Sequence, residues 1–188
     1  MKKLILLSVF FLVFSLVHIS AQTSSSNSGA EISFTFNRQF GVGTNQFAVW
    51  IEDSRGNFVK TLYATRFTAT GGWQRRPLSI PVWVKQSGIS SLSKAEVDAL
   101  TGATPRNGAL NYKWDGTDKN GMALPSGEYR IFIEGTLRAE NQVVYSALFS
   151  PGNSASGSQV EAELKTEYKG NSTSNRNMIS NVKVLYRP

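Results

Sequence analysis

The chain contains no cysteine, and its one histidine, His18, lies inside an apolar leader. Each absence removes a class of chemistry. Beyond the leader there can be no zinc site built from Cys or His, no haem held through those residues and no Ser-His-Asp or Cys-His nucleophile. No disulfide can staple the fold. Stability must then come from burying Trp, Phe and Tyr side chains, each of which covers ~150–250 Å². Long apolar runs are scarce as well. Only residues 4–17 are almost wholly apolar, and a membrane-crossing helix needs about 20 residues. Charge is modest: the net value is +7, or +5 without Lys2 and Lys3. The basic residues are dispersed, and without a basic stripe a nucleic-acid partner is not expected.

What is present begins with Lys2 and Lys3, followed by the apolar run and then Ile19-Ser20-Ala21 before Gln22. A basic start, an apolar centre and a small residue at the end make residues 1–21 a secretory signal peptide. No Cys follows the apolar run, so there is no acylation site of the lipoprotein kind. Cleavage after Ala21 leaves 167 of the 188 residues, enough for one domain with its own core. Residues 22–30 (QTSSSNSGA) read as a flexible polar leader, and residues 31–188 as a single exported domain.

Within that domain, side chains alternate between apolar and polar over many short runs, as they do on a half-buried strand. Ile32, Phe34 and Phe36 share one face of a first strand. Residues 46–53 are apolar on both faces, which marks a central strand, and residues 54–57 are a hairpin turn leading to a partner at 58–63. Residues 110–114 and 128–134 flank a loop rich in Gly, Asp, Asn and Pro and read as a β-hairpin. Further strands are expected at 143–150, 159–169 and 178–186. A short helical turn follows Pro81. Ser93 and Glu96 have capping-box spacing for a helix over 93–100, with Gly102 as its end. About eight strands with one or two short helices, and no regular strand–helix alternation, give an all-β fold. The expected architecture is an immunoglobulin-like antiparallel β-sandwich without the Cys pair.

The stretch WDGTDKNGMALPSGEYRIFIEG resembles the Trp-Asp-Gly hairpin segment of immunoglobulin-like domains such as that of the flagellar hook-capping protein. More broadly, AVWIEDSRGNFVKTL, then VDALTGAT, then that segment, resembles an exported bacterial family known as domain of unknown function twenty-two seventy-one. The resemblance implies a periplasmic β-sandwich and no established activity.

Several residues are candidates for chemistry. VDALTGATPRNG is similar to the flavin-attachment motif of the sodium-pumping NADH:quinone reductase and its exported relatives. That resemblance implies covalent FMN on Thr104, with Asp98 as the motif's acidic residue; Arg106 departs from the usual Ser or Thr. The plainer account is a helix end turning into a strand. Asp115, Asp118 and Asn120 could ligate calcium, but Gly116 stands where an EF-hand needs its first ligand. Asp115 can equally brace a turn. Ser91 and Lys94 make a Ser-x-x-Lys without the companion motifs of a penicillin-binding enzyme. Glu52 and Asp53 are adjacent and so point to opposite faces, which does not suit a glycosidase pair. Arg75, Arg76, Trp73 and Trp83 could line a basic aromatic patch for a glycan or protein partner, or be core tryptophans beside solvated arginines. The expectation is a non-enzymatic exported binding or scaffolding module, with a flavinylated redox carrier as its rival.

Overall fold

The computed structural model describes residues 29–40, 45–136, 141–152, 158–170 and 177–188. The expected signal peptide and nearly all of the polar leader lie outside the described residues. Among the described residues ten strands form two sheets: β1 (Ala30–Phe36), β2 (Gln46–Asp53), β3 (Phe58–Thr65), β4 (Thr101–Gly102), β5 (Gly108–Trp114), β6 (Tyr129–Thr136), β7 (Gln142–Phe149), β8 (Val160–Glu161), β9 (Leu164–Lys169) and β10 (Ile179–Tyr186). The smaller sheet runs β5-β1-β10-β8 and the larger β4-β3-β2-β6-β7-β9. The expected all-β sandwich is present. Its larger sheet is mixed, because β4 runs parallel to β3.

The sheets face each other across a core that includes Ile32, Phe34 and Phe36 of β1 and Phe47, Val49 and Ile51 of β2. The other face of β2 is buried too, under a helical layer. Ala48 and Trp50 meet Ile80, Trp83, Ile89 and Val97 there. A strand covered on both sides must be apolar on both sides, and this is why β2 lacks a polar stripe. The helical layer comprises a π-turn at Thr68–Gly72, α1 (Trp73–Arg75), α2 (Pro81–Ser87) and α3 (Lys94–Leu100).

Three sequence-based expectations need correction. The stretch around the Trp-Asp-Gly motif is not a hairpin. β5 pairs with β1 in one sheet, and β6 pairs with β2 and β7 in the other. The loop therefore carries the chain across the sandwich, and Trp114 packs at the crossing against Tyr129 and Phe149, with ring centroids 4.8 and 5.6 Å away. The long alternating run 159–169 is two strands, since β8 lies beside β10 and β9 beside β7. Gly102 does not end α3 by a left-handed turn. Thr101 is already extended after Leu100, and Gly102 is part of β4.

Candidate binding surface on the helical face

The helical layer is pinned to the larger sheet by buried polar side chains that use its loose backbone N–H groups. Glu134 of β6 is fully buried. Its carboxylate accepts the N–H of Trp83 at 2.8 Å, the N–H of Val82 at 3.3 Å and the side-chain amide of Gln142. The first N–H groups of a helix have no partner within it, so Glu134 supplies what the start of α2 lacks. Burial pushes its pKa up to about 7, against the lowering effect of these donors. Beside it, Thr136 Oγ1 accepts the N–H of Ile80 at 3.1 Å. Ile80 is held at φ 43°, in the left-handed region. A branched residue there is strained by ~1–3 kcal/mol, and its buried side chain and these bonds hold it in place. The π-turn is fixed likewise. Gln46 Oε1 accepts Thr65 Oγ1 at 2.7 Å and Thr68 Oγ1 at 2.9 Å.

Among the described residues, two clefts are prominent on this face. The first, of about 400 Å³, lies between β3, α3 and the end of β5. Phe58, Leu62, Leu92 and Leu100 give it apolar walls, and Lys60, Lys113 and Lys119 bring positive charge. Ser87 also lines it, and its buried Oγ has no hydrogen-bond partner. The second, of about 560 Å³, lies between the π-turn and α3, with Trp73, Arg66 and Asp98 among its lining residues. Arg66 and Asp98 form an ion pair at 3.2 Å.

The residues singled out from the sequence are distributed over this face. Arg75 and Arg76 both lie over the Phe67 ring, at 5.4 and 5.6 Å from its centroid. Trp73 is half-buried and borders the second cleft. Trp83 is wholly buried and donates its indole N–H to Thr61 Oγ1 at 3.0 Å. The surface members of the aromatic set are thus Arg75, Arg76 and Trp73. Asp98 is exposed, and Thr104 is half-buried in the irregular stretch between β4 and β5. The chain just before Thr104 is fixed: Tyr63 donates its hydroxyl to the Ala103 carbonyl at 2.7 Å. A Cβ on Gly102 would sit 2.7 Å from the Tyr63 ring, so close packing alone requires glycine there. Burial pushes the Tyr63 phenol up to about 12.

The carboxylates of the crossing loop hold the loop itself. Asp115 Oδ1 accepts Thr117 N–H, Thr117 Oγ1 and the Lys60 ammonium at 3.1, 2.6 and 3.2 Å. Asp118 Oδ1 accepts the N–H groups of Asn120 and Met122, each at 2.8 Å. Among the described residues no group of three or more His, Cys, Asp or Glu side chains is placed to hold a metal ion, and no helix is long and apolar enough to cross a membrane. The first cleft is absent from the sequence reading. Its walls come from four separate stretches, and no local pattern in the chain joins them.

No curated protein and no solved structure matches the chain. A family model does match, over residues 30–170, which spans β1 to β9 and the whole helical layer. With well over half its length covered, the chain belongs to the family described as predicted periplasmic proteins, domain of unknown function DUF2271.

Proposed function

We propose that the protein is an exported, non-enzymatic binding or scaffolding module that holds a protein or glycan partner on its helix-covered face. The observation that carries this reading is the pair of clefts there, one of them apolar-walled with lysines at its rim. Ligand sites are concave and mostly apolar, with a few placed polar groups. The chain beyond the leader also lacks the His and Cys on which most nucleophilic catalysis is built. Residues 22–188, purified and offered common ester, peptide and glycoside substrates, should give no turnover. Reproducible turnover abolished by a point mutation would overturn the reading.

A second reading is a carrier with FMN esterified to Thr104. It is supported by Thr104 being half-buried rather than enclosed, on a chain held at Ala103 by Tyr63, with exposed Asp98 close by in sequence. A transferase could reach that hydroxyl. The flavin would supply redox chemistry that this chain lacks; the protein would contribute the anchor and its orientation. Intact mass of the protein from its exported compartment, with a flavin transferase present, tests this. An added FMN lost in Thr104→Ala establishes the carrier, and an unmodified mass excludes it.

A further inference from the structure

We infer that the cleft beside β3 is a strand-docking groove that takes an extended, acidic segment of a partner protein as an added strand on the β3 edge. The inference rests on the binding-module reading above and names the kind of partner.

The groove is open to backbone. β3 pairs with β2 along one side, but on its other side β4 covers only Ala64 and Thr65. Residues 58–63 therefore present one row of N–H and C=O groups with no ladder partner among the described residues. Lys60, Thr61 and Leu62 all line the cleft. Successive strand side chains point to opposite faces, but the bulge at Leu62 breaks that alternation and re-aims consecutive residues toward the cleft beside the strand's edge. The free stretch, at ~3.3 Å per residue, suits an occupant of about six residues, in line with β4. α3 forms the far wall through Glu96, Ala99 and Leu100.

Charge chooses the occupant. Lys113 and Lys119 are exposed at the rim, and Lys60 stands in the middle of the edge, held by Asp115 and Thr117. The one carboxylate among the lining residues, Glu96, accepts the Ser93 N–H in the capping box and keeps its charge beside Lys119, so the three lining lysines outnumber it. Natural sheet edges are guarded against self-pairing by lysines and bulges. β3 has both, with Val59 and Leu62 left out of its register with β2. That guard repels a strand of the same kind and favours one of opposite charge. Strand addition of this kind draws affinity from main-chain hydrogen bonds and specificity from the flanking side chains.

An array of random octapeptides probed with residues 22–188 tests this. The strongest binders are then titrated into ¹⁵N-labelled protein, with octanoate as a small amphipathic carboxylate. Binders should be enriched in Asp and Glu and should shift the amides of residues 58–63. They should weaken at least tenfold in Lys113→Glu/Lys119→Glu, but not in Lys183→Glu on the outer face of the other sheet. Binders without acidic enrichment, undiminished binding after backbone N-methylation, or octanoate reproducing the same shifts would overturn the inference. A partner held on the helical face indifferently to the charge reversal would also overturn it, while leaving the binding-module reading standing.

Discussion

Trp114 shows how much one side chain can decide. It is buried at the point where the chain leaves one sheet for the other, and its indole N–H is donated to the Thr117 carbonyl at 2.8 Å. Trp114→Ala removes this plug and its contacts with Tyr129 and Phe149, and a loss of ~3–5 kcal/mol is expected. Chemical denaturation measures it; a change below ~1 kcal/mol would mean the crossing does not depend on the ring. Glu134 predicts a pH dependence. Its folded pKa is raised to about 7 from an ordinary value of 4.5. Between those values the unfolded chain releases the proton and the folded one retains it, so stability falls as pH rises from about 4.5 to about 7. The size is on the order of 3 kcal/mol. In Glu134→Gln this part of the slope should vanish when denaturation is compared at about pH 4 and about pH 7.5, on either side of the transition. An unchanged slope would assign the pH dependence to other groups.

At the scale of elements, the helix α3 is legible because its start is local chemistry. Ser93 Oγ accepts the Glu96 N–H, and the Glu96 carboxylate accepts the Ser93 N–H at 2.8 Å. Ser93→Ala should cost ~1 kcal/mol and speed amide exchange over residues 96–97 while leaving the sheets protected. Uniformly faster exchange would show that α3 is not an independent local unit. Strand existence is equally legible, from alternation in β1, β6, β7 and β10. Pairing is not. A turn-rich loop between two alternating runs reads as a hairpin, yet β5 and β6 join different sheets, since alternation says which face is buried and not which neighbour covers it. The run 159–169 breaks at buried Ala162 for the same reason. β4 has only two residues, too few to show any period, and its glycine reads as a helix stop. Of the candidate sites, Thr104 and Asp98 stand out by motif. The cleft does not, because Phe58, Ser87, Lys113 and Lys119 meet only through tertiary packing.

At the scale of the whole molecule, three layers divide the labour. The four-stranded sheet closes the inner core, β2 is shared by both cores, and the helices cover the far side of the larger sheet. The helical layer rests on a polar anchor at Glu134, Gln46 and Thr136, and it carries the two clefts. The family assignment points to export, and the absence of cysteine is compatible with it because the aromatic core does the holding. The proposed function requires a partner on this face. Photo-crosslinking in the exported compartment tests it most directly, with benzoylphenylalanine introduced in place of Lys119 at the cleft rim or of Lys183 on β10. Position 119 should give one discrete adduct and position 183 none; no adduct at 119, or the same adducts from both positions, would mean that no specific partner engages this face.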